Sequence, residues 1–455
     1  MLLIPTEIRS WNNASKAITE TWAADSLRGR FARGAVWSLV GAVISQGASL
    51  AASVITARLL GREQFGEYGM VQSTVGMLGI FAGLGLGLTA TKYVAQFRTR
   101  DPERAGRIVA LGSAVAIVSG GLMALTLLAA APVLAVKTLN APALADELRI
   151  ASLLLFFNAL NGAQLGALTG LEAFQATARI NLLRGLIAVP VTAIAVLSWG
   201  LPGAVWALVS ISAVACLLSQ ISLRAHCLAL GIHTRLSSGW KERRVLWTFS
   251  TPAFLSGALV GPALWAANTM LVNQPGGYGE MGVFSAASQW RNAIGFIPAV
   301  LAQFALPILS NLNGERDASR YNKALRWNLI LTATAAVAVA VPVALAAPQI
   351  MRLYGRDFQQ GWLVLALSAA TAAISCINGV VGTAILSAGS VWIGLAFNAM
   401  WAAVLLAGCY YLIPSRLALG LAGSMLGAYI AHTVWQALYL RHRLLQHQKD
   451  PLHIT

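Results

Sequence analysis

The sequence predicts an all-helical polytopic membrane protein with about twelve transmembrane helices. Three observations carry that prediction. Twelve long apolar runs follow one another along the 455 residues, and a run of about 20 apolar residues crosses the roughly 30 Å hydrocarbon core as a helix. The chain is 57% hydrophobic and only 11% charged, against about 25% charged in an ordinary soluble domain. The basic residues are also divided unevenly: 24 of the 32 Lys and Arg side chains fall in alternate loops and the two ends, and seven in the intervening loops.

Taken in order, residues 1–34 are polar and mixed, and they include Arg9, Lys16, Arg28, Arg30 and Arg33. They lack the compact apolar core and small-residue cleavage site of a removable signal peptide, so the first span itself must target the chain. The spans cover 35–57, 69–91, 108–130, 148–169, 179–199 and 203–223, and then 246–272, 282–310, 327–347, 362–387, 390–413 and 417–440. The longest basic loop, 224–245, divides them six and six, and residues 441–455 form a tail. Each group opens its second span with a Gly-x-aromatic: Gly66-Glu67-Tyr68 in the first and, 216 residues later, Gly282-Val283-Phe284 in the second. An even number of spans per repeat requires repeats of the same orientation, related by an axis along the membrane normal. The expectation is two six-helix lobes, 35–223 and 246–440.

The loop charges orient the chain. Basic residues favour the cytoplasmic side, which places both termini and the loops at 92–107, 224–245 and 311–326 in the cytoplasm. The net charge of +16 therefore reads as topology and contact with anionic lipid, and nucleic acid is excluded as a partner. The longest outward loop, 131–147, carries only Lys137, Asp146 and Glu147 as charged residues. It leaves no room for an extracytoplasmic catalytic domain, so no enzyme is expected. Cys216, Cys227, Cys376 and Cys409 form no C-x-x-C, and three of them lie in apolar spans. They read as small buried hydrophobes, and no metal or cofactor is expected.

Gly83-x-Gly85-x-Gly87 looks like a fragment of a dinucleotide loop, but it lies in an apolar span with no preceding strand and no acidic partner for ribose. Gly79, Gly83 and Gly87 instead predict a small-residue stripe for close helix packing, as do Gly162, Gly166 and Gly170. All sixteen Asp and Glu residues lie in loops, ends or span edges, with Glu172 nearest a membrane core. Arg291 is the opposite case. It stands nine residues into the eighth span, about 13 Å deep at 1.5 Å per residue. Arginine at such depth costs about 2.5–3.5 kcal/mol on insertion scales and is expected to face a cavity or a partner. A bidentate anchor for phosphate is one reading; pairing with carbonyls or snorkelling is the other.

Arg184, near the inner end of the fifth span, and Lys92, at the inner edge of the second, are further candidate substrate contacts; Lys92 also reads as a plain interface marker. Uncharged polar residues stud the spans, among them Gln46, Gln72, Asn158, Asn161, Gln164, Asn268, Gln303, Asn378 and Asn398. Some are expected to join helices by hydrogen bonds and some to line a hydrated cavity; Gln46, Gln72 and Asn268 are candidates for the second group. His432 is the only group deep in a span that titrates near neutral pH. It reads either as a packing histidine or as a proton-coupling site.

The stretches Ala57-Arg58-Leu59-Leu60-Gly61 with Phe65-Gly66-Glu67-Tyr68, Gly170-Leu171-Glu172-Ala173-Phe174, Gly282-Val283-Phe284-Ser285-Ala286-Ala287 and Leu353-Tyr354-Gly355-Arg356-Asp357-Phe358 resemble the oligosaccharide flippase family. These are the polysaccharide exporters within the superfamily that also holds the MATE drug exporters. The resemblance spans about 35–440 and rests on the order of these stretches relative to the spans. It implies a MATE-like fold of two six-helix lobes around a central cavity in the bacterial cytoplasmic membrane. It further implies an oligosaccharide on a polyprenyl pyrophosphate as substrate, and polysaccharide polymerase machinery as a further partner. Similar proteins often carry an aspartate where this chain has Asn268, which puts an ion-coupling role for that position in doubt; ion coupling itself is left open by the sequence. Two other classes stand beside this one. A MATE-like exporter of small organic cations usually needs a buried carboxylate, which these spans lack. A membrane glycosyltransferase, polymerase or ligase normally needs acidic or His residues on a sizeable outer loop, which is also missing.

Overall fold

The computed structural model describes residues 27–234, 239–314, 318–387 and 391–449. Arg9 and Lys16, the centre of the 224–245 connection, residues 450–455 and the side chain of Gln303 lie outside the described residues. In chain order the helices are α1 (Leu27–Gly83), α2 (Leu86–Phe97), α3 (Pro102–Val133), α4 (Leu144–Gly170), α5 (Phe174–Ala229), α6 (Thr251–Gly257), α7 (Val260–Val272), α8 (Gly277–Gly314), α9 (Ala318–Leu345), α10 (Ala347–Tyr354), α11 (Trp362–Ser387) and α12 (Val391–Lys449). No strand occurs among the described residues. In hydrocarbon every backbone N–H and C=O must find a partner within its own segment or a closed barrel, and apolar runs of this length meet that demand as helices. Among the described residues, seven helical stretches are long and apolar enough to cross a bilayer.

Three of the helices exceed a single crossing. The 57 residues of α1 would extend about 85 Å at 1.5 Å per residue. The helix breaks at Gly61, with φ 76° and ψ 177°, a backbone region that glycine enters without steric cost. In the same way α5 breaks at Gly200 and α12 at Leu417, beside Pro202 and Pro414 respectively. The start of α3 is set locally: Pro102 occupies the first turn, and the Asp101 carboxylate accepts from Arg104 N at 2.9 Å, a side-chain cap that satisfies an otherwise unpaired N–H.

Two expectations need correction. The second span, expected to be continuous over 69–91, is interrupted between α1 and α2, where Leu84 (φ 44°) and Gly85 (φ 68°) take left-handed backbone. The seventh, expected over 246–272, is a π turn at Leu246–Ser250 followed by α6 and α7 as separate helices. The glycine stripe at Gly79, Gly83 and Gly87 is accordingly not one packing face. A Cβ on Gly79 or Gly83 would meet nothing within 4 Å, whereas Gly87 lies against Gly162 and Gly166 of α4. The second stripe packs in part: Gly166 meets Gly87 and Gly170 meets the backbone of Ala90 and Thr91, while Gly162 faces open space.

The largest buried cluster draws on both halves of the chain, with Phe65, Met70 and Leu155 from the first and Phe284, Tyr354, Phe358 and Trp401 from the second. The outer surface is studded with exposed Leu, Ile, Val and Trp, such as Leu125, Leu197, Leu217 and Trp392, as a lipid-facing surface should be. Polar side chains join helices inside the first half. Ser219 Oγ donates to Asn161 Oδ1 at 2.8 Å and Gln164 Nε2 to Gln220 Oε1 at 2.8 Å, so these two span residues act as helix-to-helix links.

The halves meet most closely where α1 crosses α8. The repeated Gly-x-aromatic stretches face each other there. A Cβ on Gly66 would overlap the Tyr278 carbonyl and approach Gly282 N, and a Cβ on Gly282 would overlap the Arg62 carbonyl. One turn on, a Cβ on Gly69 would overlap the Ser285 hydroxyl. Polar contacts seal the same end. Arg62 pairs with Glu280 and donates to the Gly279 carbonyl at 2.9 Å, while the other Glu280 oxygen accepts from Ala418 N at 3.3 Å. Arg58 donates to the Leu353 carbonyl, Tyr278 Oη to the Leu139 carbonyl at 2.8 Å, and Asn273 Nδ2 to the Thr138 carbonyl at 2.9 Å. Beneath them the Phe65 ring lies 6.3 Å from Tyr354 and 6.0 Å from Phe358. At the opposite end, both oxygens of Glu242 accept from Arg104 and Arg107, each at 3.2 Å, and fasten the connection between the halves to the start of α3.

Candidate substrate cavity

Below the sealed end, α1, α7 and α8 enclose a cavity of about 390 Å³, with Met425 of α12 completing its wall. Arg291, Asn268 and Gln72 line it together. Each reaches it for a local reason. Gln72 follows the Gly69 contact by less than one turn, so it is carried on the face of α1 that meets α8. Asn268 sits on the same stretch as Trp265, whose Nε1 donates to Thr74 Oγ1 at 3.0 Å, which fixes the rotation of α7 against α1. Arg291 stands two turns beyond Phe284 on α8, one of the buried residues that hold this helix in the core.

The cavity chemistry is uneven in a useful way. Arg291 is its only charged lining residue among the described residues. The guanidinium is half-buried and donates from Nη1 to the thioether of Met425, with the Tyr429 phenol in electrostatic reach. A thioether is a weak acceptor, so among the described residues most of the five arginine donors remain uncommitted. The rest of the polar lining is neutral: Gln72, Ser73, Asn268, Ser285, Ser288, Gln289 and Asn292. Asn268 Nδ2 donates to Ser73 Oγ at 2.9 Å, while Asn268 Oδ1 is buried without a partner among the described residues, as are Ser285 Oγ and Ser288 Oγ. Buried polar atoms are normally bonded, and each exception asks for a ligand or water to complete it. The space thus offers a cationic donor fork beside neutral groups that can bond hydroxyls, and among the described residues its lining holds no carboxylate.

The other candidates lie elsewhere. Gln46 is half-buried on the first segment of α1, where Ser45 and Ala48 pack on Gly185 of α5. Arg184, next to Gly185, is exposed. Lys92 is exposed on α2, with its ammonium 5.3 Å from the centroid of the Tyr93 ring. His432 is buried on α12, its Nε2 3.0 Å from Gln436 Nε2 and its ring 6.3 Å from Phe397 and 6.0 Å from Trp435. None of the four lines the cavity. Ser73, Ser285 and Ser288 escaped the sequence reading, because a serine in an apolar helix carries no signal of which face it is on. A repeat of small polar residues at positions 285 and 288, three apart on the arginine's own helix, is the clue that was present.

The fold is that of a membrane transporter. The chain superposes on a multidrug resistance MATE family transporter of the MOP superfamily in its outward-facing conformation with a TM-score of 0.71 at 17% identity, covering 95% of this chain and 98% of that one. The inward-facing conformation gives 0.69 at 16% identity, covering 90% and 98%. The chain belongs to the polysaccharide biosynthesis protein family, whose profile matches residues 31–313. It is 26% identical to the EPS I polysaccharide export inner membrane protein EpsE of Ralstonia nicotianae, over 91% of this chain and 95% of that protein. It is 25% identical to the lipid III flippase of Escherichia coli, over 68% of this chain and 74% of that protein.

Proposed function

We infer that the chain is a flippase. It carries an oligosaccharide linked to polyprenyl pyrophosphate from the cytoplasmic to the outer leaflet for surface polysaccharide export. The cavity lining carries this reading: among the described residues it holds one arginine beside neutral hydrogen-bonding groups, and no carboxylate. Pyrophosphate and sugars cannot cross hydrocarbon unaided, since their polar groups would lose water with nothing in exchange. Arg291 supplies a planar fork for a phosphate, and Asn268, Ser285 and Ser288 supply bonds for sugar hydroxyls. The Ralstonia relative, a polysaccharide export protein, and the Escherichia relative, a lipid III flippase, support the same class of substrate. Export of small organic cations, the reading that the MATE fold alone would favour, finds no carboxylate to receive them among the described residues of this cavity.

The movement is alternating access. We read the breaks at Gly61, Gly200 and Leu417 as the turns between successive spans, and α6 with α7 as one interrupted span. This gives twelve spans in two six-helix lobes, 35–223 and 246–440, with both termini in the cytoplasm. The contacts between Gly66 and Gly282, with Arg62–Glu280 above them, then form the outer gate, closed in this structure. A reporter inserted at residue 235 or fused to the C-terminus is expected to report the cytoplasm, and one near residue 140 the outer side. A cytoplasmic signal at 140 would overturn this arrangement.

Deletion of the gene from a strain that makes the polysaccharide tests the function. The expected result is loss of surface polysaccharide with lipid-linked oligosaccharide accumulating in the cytoplasmic leaflet. Accumulation in the outer leaflet would show that the chain acts after translocation and contradict the reading. No carboxylate relay is expected for coupling, because among the described residues none lines the cavity, and Asn268 stands where similar proteins often carry an aspartate. The driving force is then consumption of the product outside, or the membrane potential acting on the anionic head at about 2.3 kcal/mol per charge per 100 mV for a full crossing.

A further inference from the structure

A second cavity of about 420 Å³ adjoins the first, between the break that separates α1 from α2, the middle of α4, and α6. Its side chains are less polar than those of the first. Among the described residues, Asn158 is the only polar side chain on its wall, and the remainder is glycine or apolar. Ile80 lines both cavities, so the two spaces meet at one residue. Apart from Gly87, most of the glycines there are not packing contacts. A Cβ on Gly79, Gly83, Gly162 or Gly257 would meet nothing within 4 Å, so bare backbone faces open space. Apolar interiors are close-packed and rarely leave room of this size. Both helices that flank the space are interrupted at this level, one at Leu84 and Gly85 and the other between Gly257 and Val260. Leu88 on its wall exposes more than half of its surface, which leaves the space open at that side.

We propose that this apolar cavity seats the polyprenyl chain of the substrate while its pyrophosphate and sugars occupy the Arg291 cavity. The inference rests on the flippase reading and adds the place of the lipid to it. An amphiphile with its charged head in the first cavity must pass its chain out through an adjoining apolar opening, and the space across Ile80 is one of matching chemistry that touches the first. Hydrocarbon gains little by leaving a bilayer for a protein surface of equal polarity. The cavity therefore acts by shape: it keeps a path open for the chain as the head moves, and its effect belongs to the rate of transport.

The test uses the full chain in proteoliposomes with two substrates that share one glycan pyrophosphate, one on a long polyprenyl chain and one on a short isoprenoid. Gly79→Leu and Gly162→Leu each add a side chain to the cavity from a different wall, at positions where a Cβ meets nothing within 4 Å. Each is expected to slow the long-chain substrate by about tenfold or more, an overpacking effect, and to leave the short-chain substrate near the wild-type rate. A polyprenyl pyrophosphate with a photoreactive group in its chain is expected to label residues 79–88 and 158–163, and a phospholipid with the same group in its acyl chain is not. Leucine variants that carry the long chain at the wild-type rate would overturn the inference. So would equal loss of both substrates, or labelling by phospholipid as strong as by polyprenyl. A wild type that moves neither substrate would overturn the flippase reading and this inference with it; a wild type that moves both, unaffected by either leucine, would overturn this inference alone.

Discussion

Replacing Arg291 with Ala is expected to stop translocation while leaving the protein in the membrane at near-normal abundance. Hydrogen bonds to a charged group contribute about 1.5–3 kcal/mol each, so losing a bidentate pair should lower flux about 100-fold or more. The fold should tolerate the change, because the one hydrogen bond of Arg291 among the described residues goes to the Met425 sulfur and not to a carboxylate that would be left unpaired. Arg291→Lys should recover part of the flux, since an ammonium keeps the charge and loses the planar fork. The measurement is initial flipping rate against the amount of protein in the membrane. An Ala variant that transports at the wild-type rate would make Arg291 a structural residue and place the anion anchor elsewhere.

Gly282→Leu is expected to hold the outer gate open. Its Cβ would overlap the Arg62 carbonyl, a backbone atom that cannot rotate aside. Overpacking of this kind costs about 1–3 kcal/mol, enough to shift a two-state equilibrium by about 5- to 150-fold. The cost falls on one state only, because the clash lies between the two halves and disappears when they part. Gly66→Leu should act in the same way from the opposing helix. In a background lacking Cys216, Cys227, Cys376 and Cys409, a cysteine at Ser285 is buried in the closed gate. Its labelling by a membrane-impermeant maleimide from outside should rise sharply in the Gly282→Leu variant as transport falls. Gly121→Leu on α3, where a Cβ meets nothing within 4 Å, is the control and should leave both readouts unchanged. Unchanged labelling with Gly282→Leu would mean that this crossing is not the gate.

The sequence made the helices legible because hydrocarbon allows little else, and it made Arg291 legible because a charge inside an apolar run has few explanations. It also displayed the two Gly-x-aromatic stretches, but not that they touch. That contact joins residues 216 apart, and no local pattern encodes it. The glycines at 79, 83 and 87 suggest a packing stripe, but a four-residue spacing fits a packing stripe and a helix break equally well. Only the left-handed backbone at Leu84 and Gly85 separates the two. Lys92, Arg184, Gln46 and His432 show a further limit. A helix that is apolar on all sides has no strong polar face, so a lone polar residue does not reveal whether it points to a cavity, a neighbour or lipid. Gln72 and Asn268 reached the cavity because α7 and α8 lie against that face of α1, which is tertiary information.

The most direct test of the central claim is transport by the purified protein in vesicles loaded from one side with either a polyprenyl-pyrophosphate-linked oligosaccharide or a small organic cation. Each is followed by its appearance on the other side, with and without imposed electrical and pH gradients. The account predicts protein-dependent movement of the lipid-linked oligosaccharide, lost in Arg291→Ala and indifferent to a pH gradient at zero potential in both wild type and His432→Ala. Movement of the organic cation with no movement of the lipid-linked oligosaccharide would contradict it.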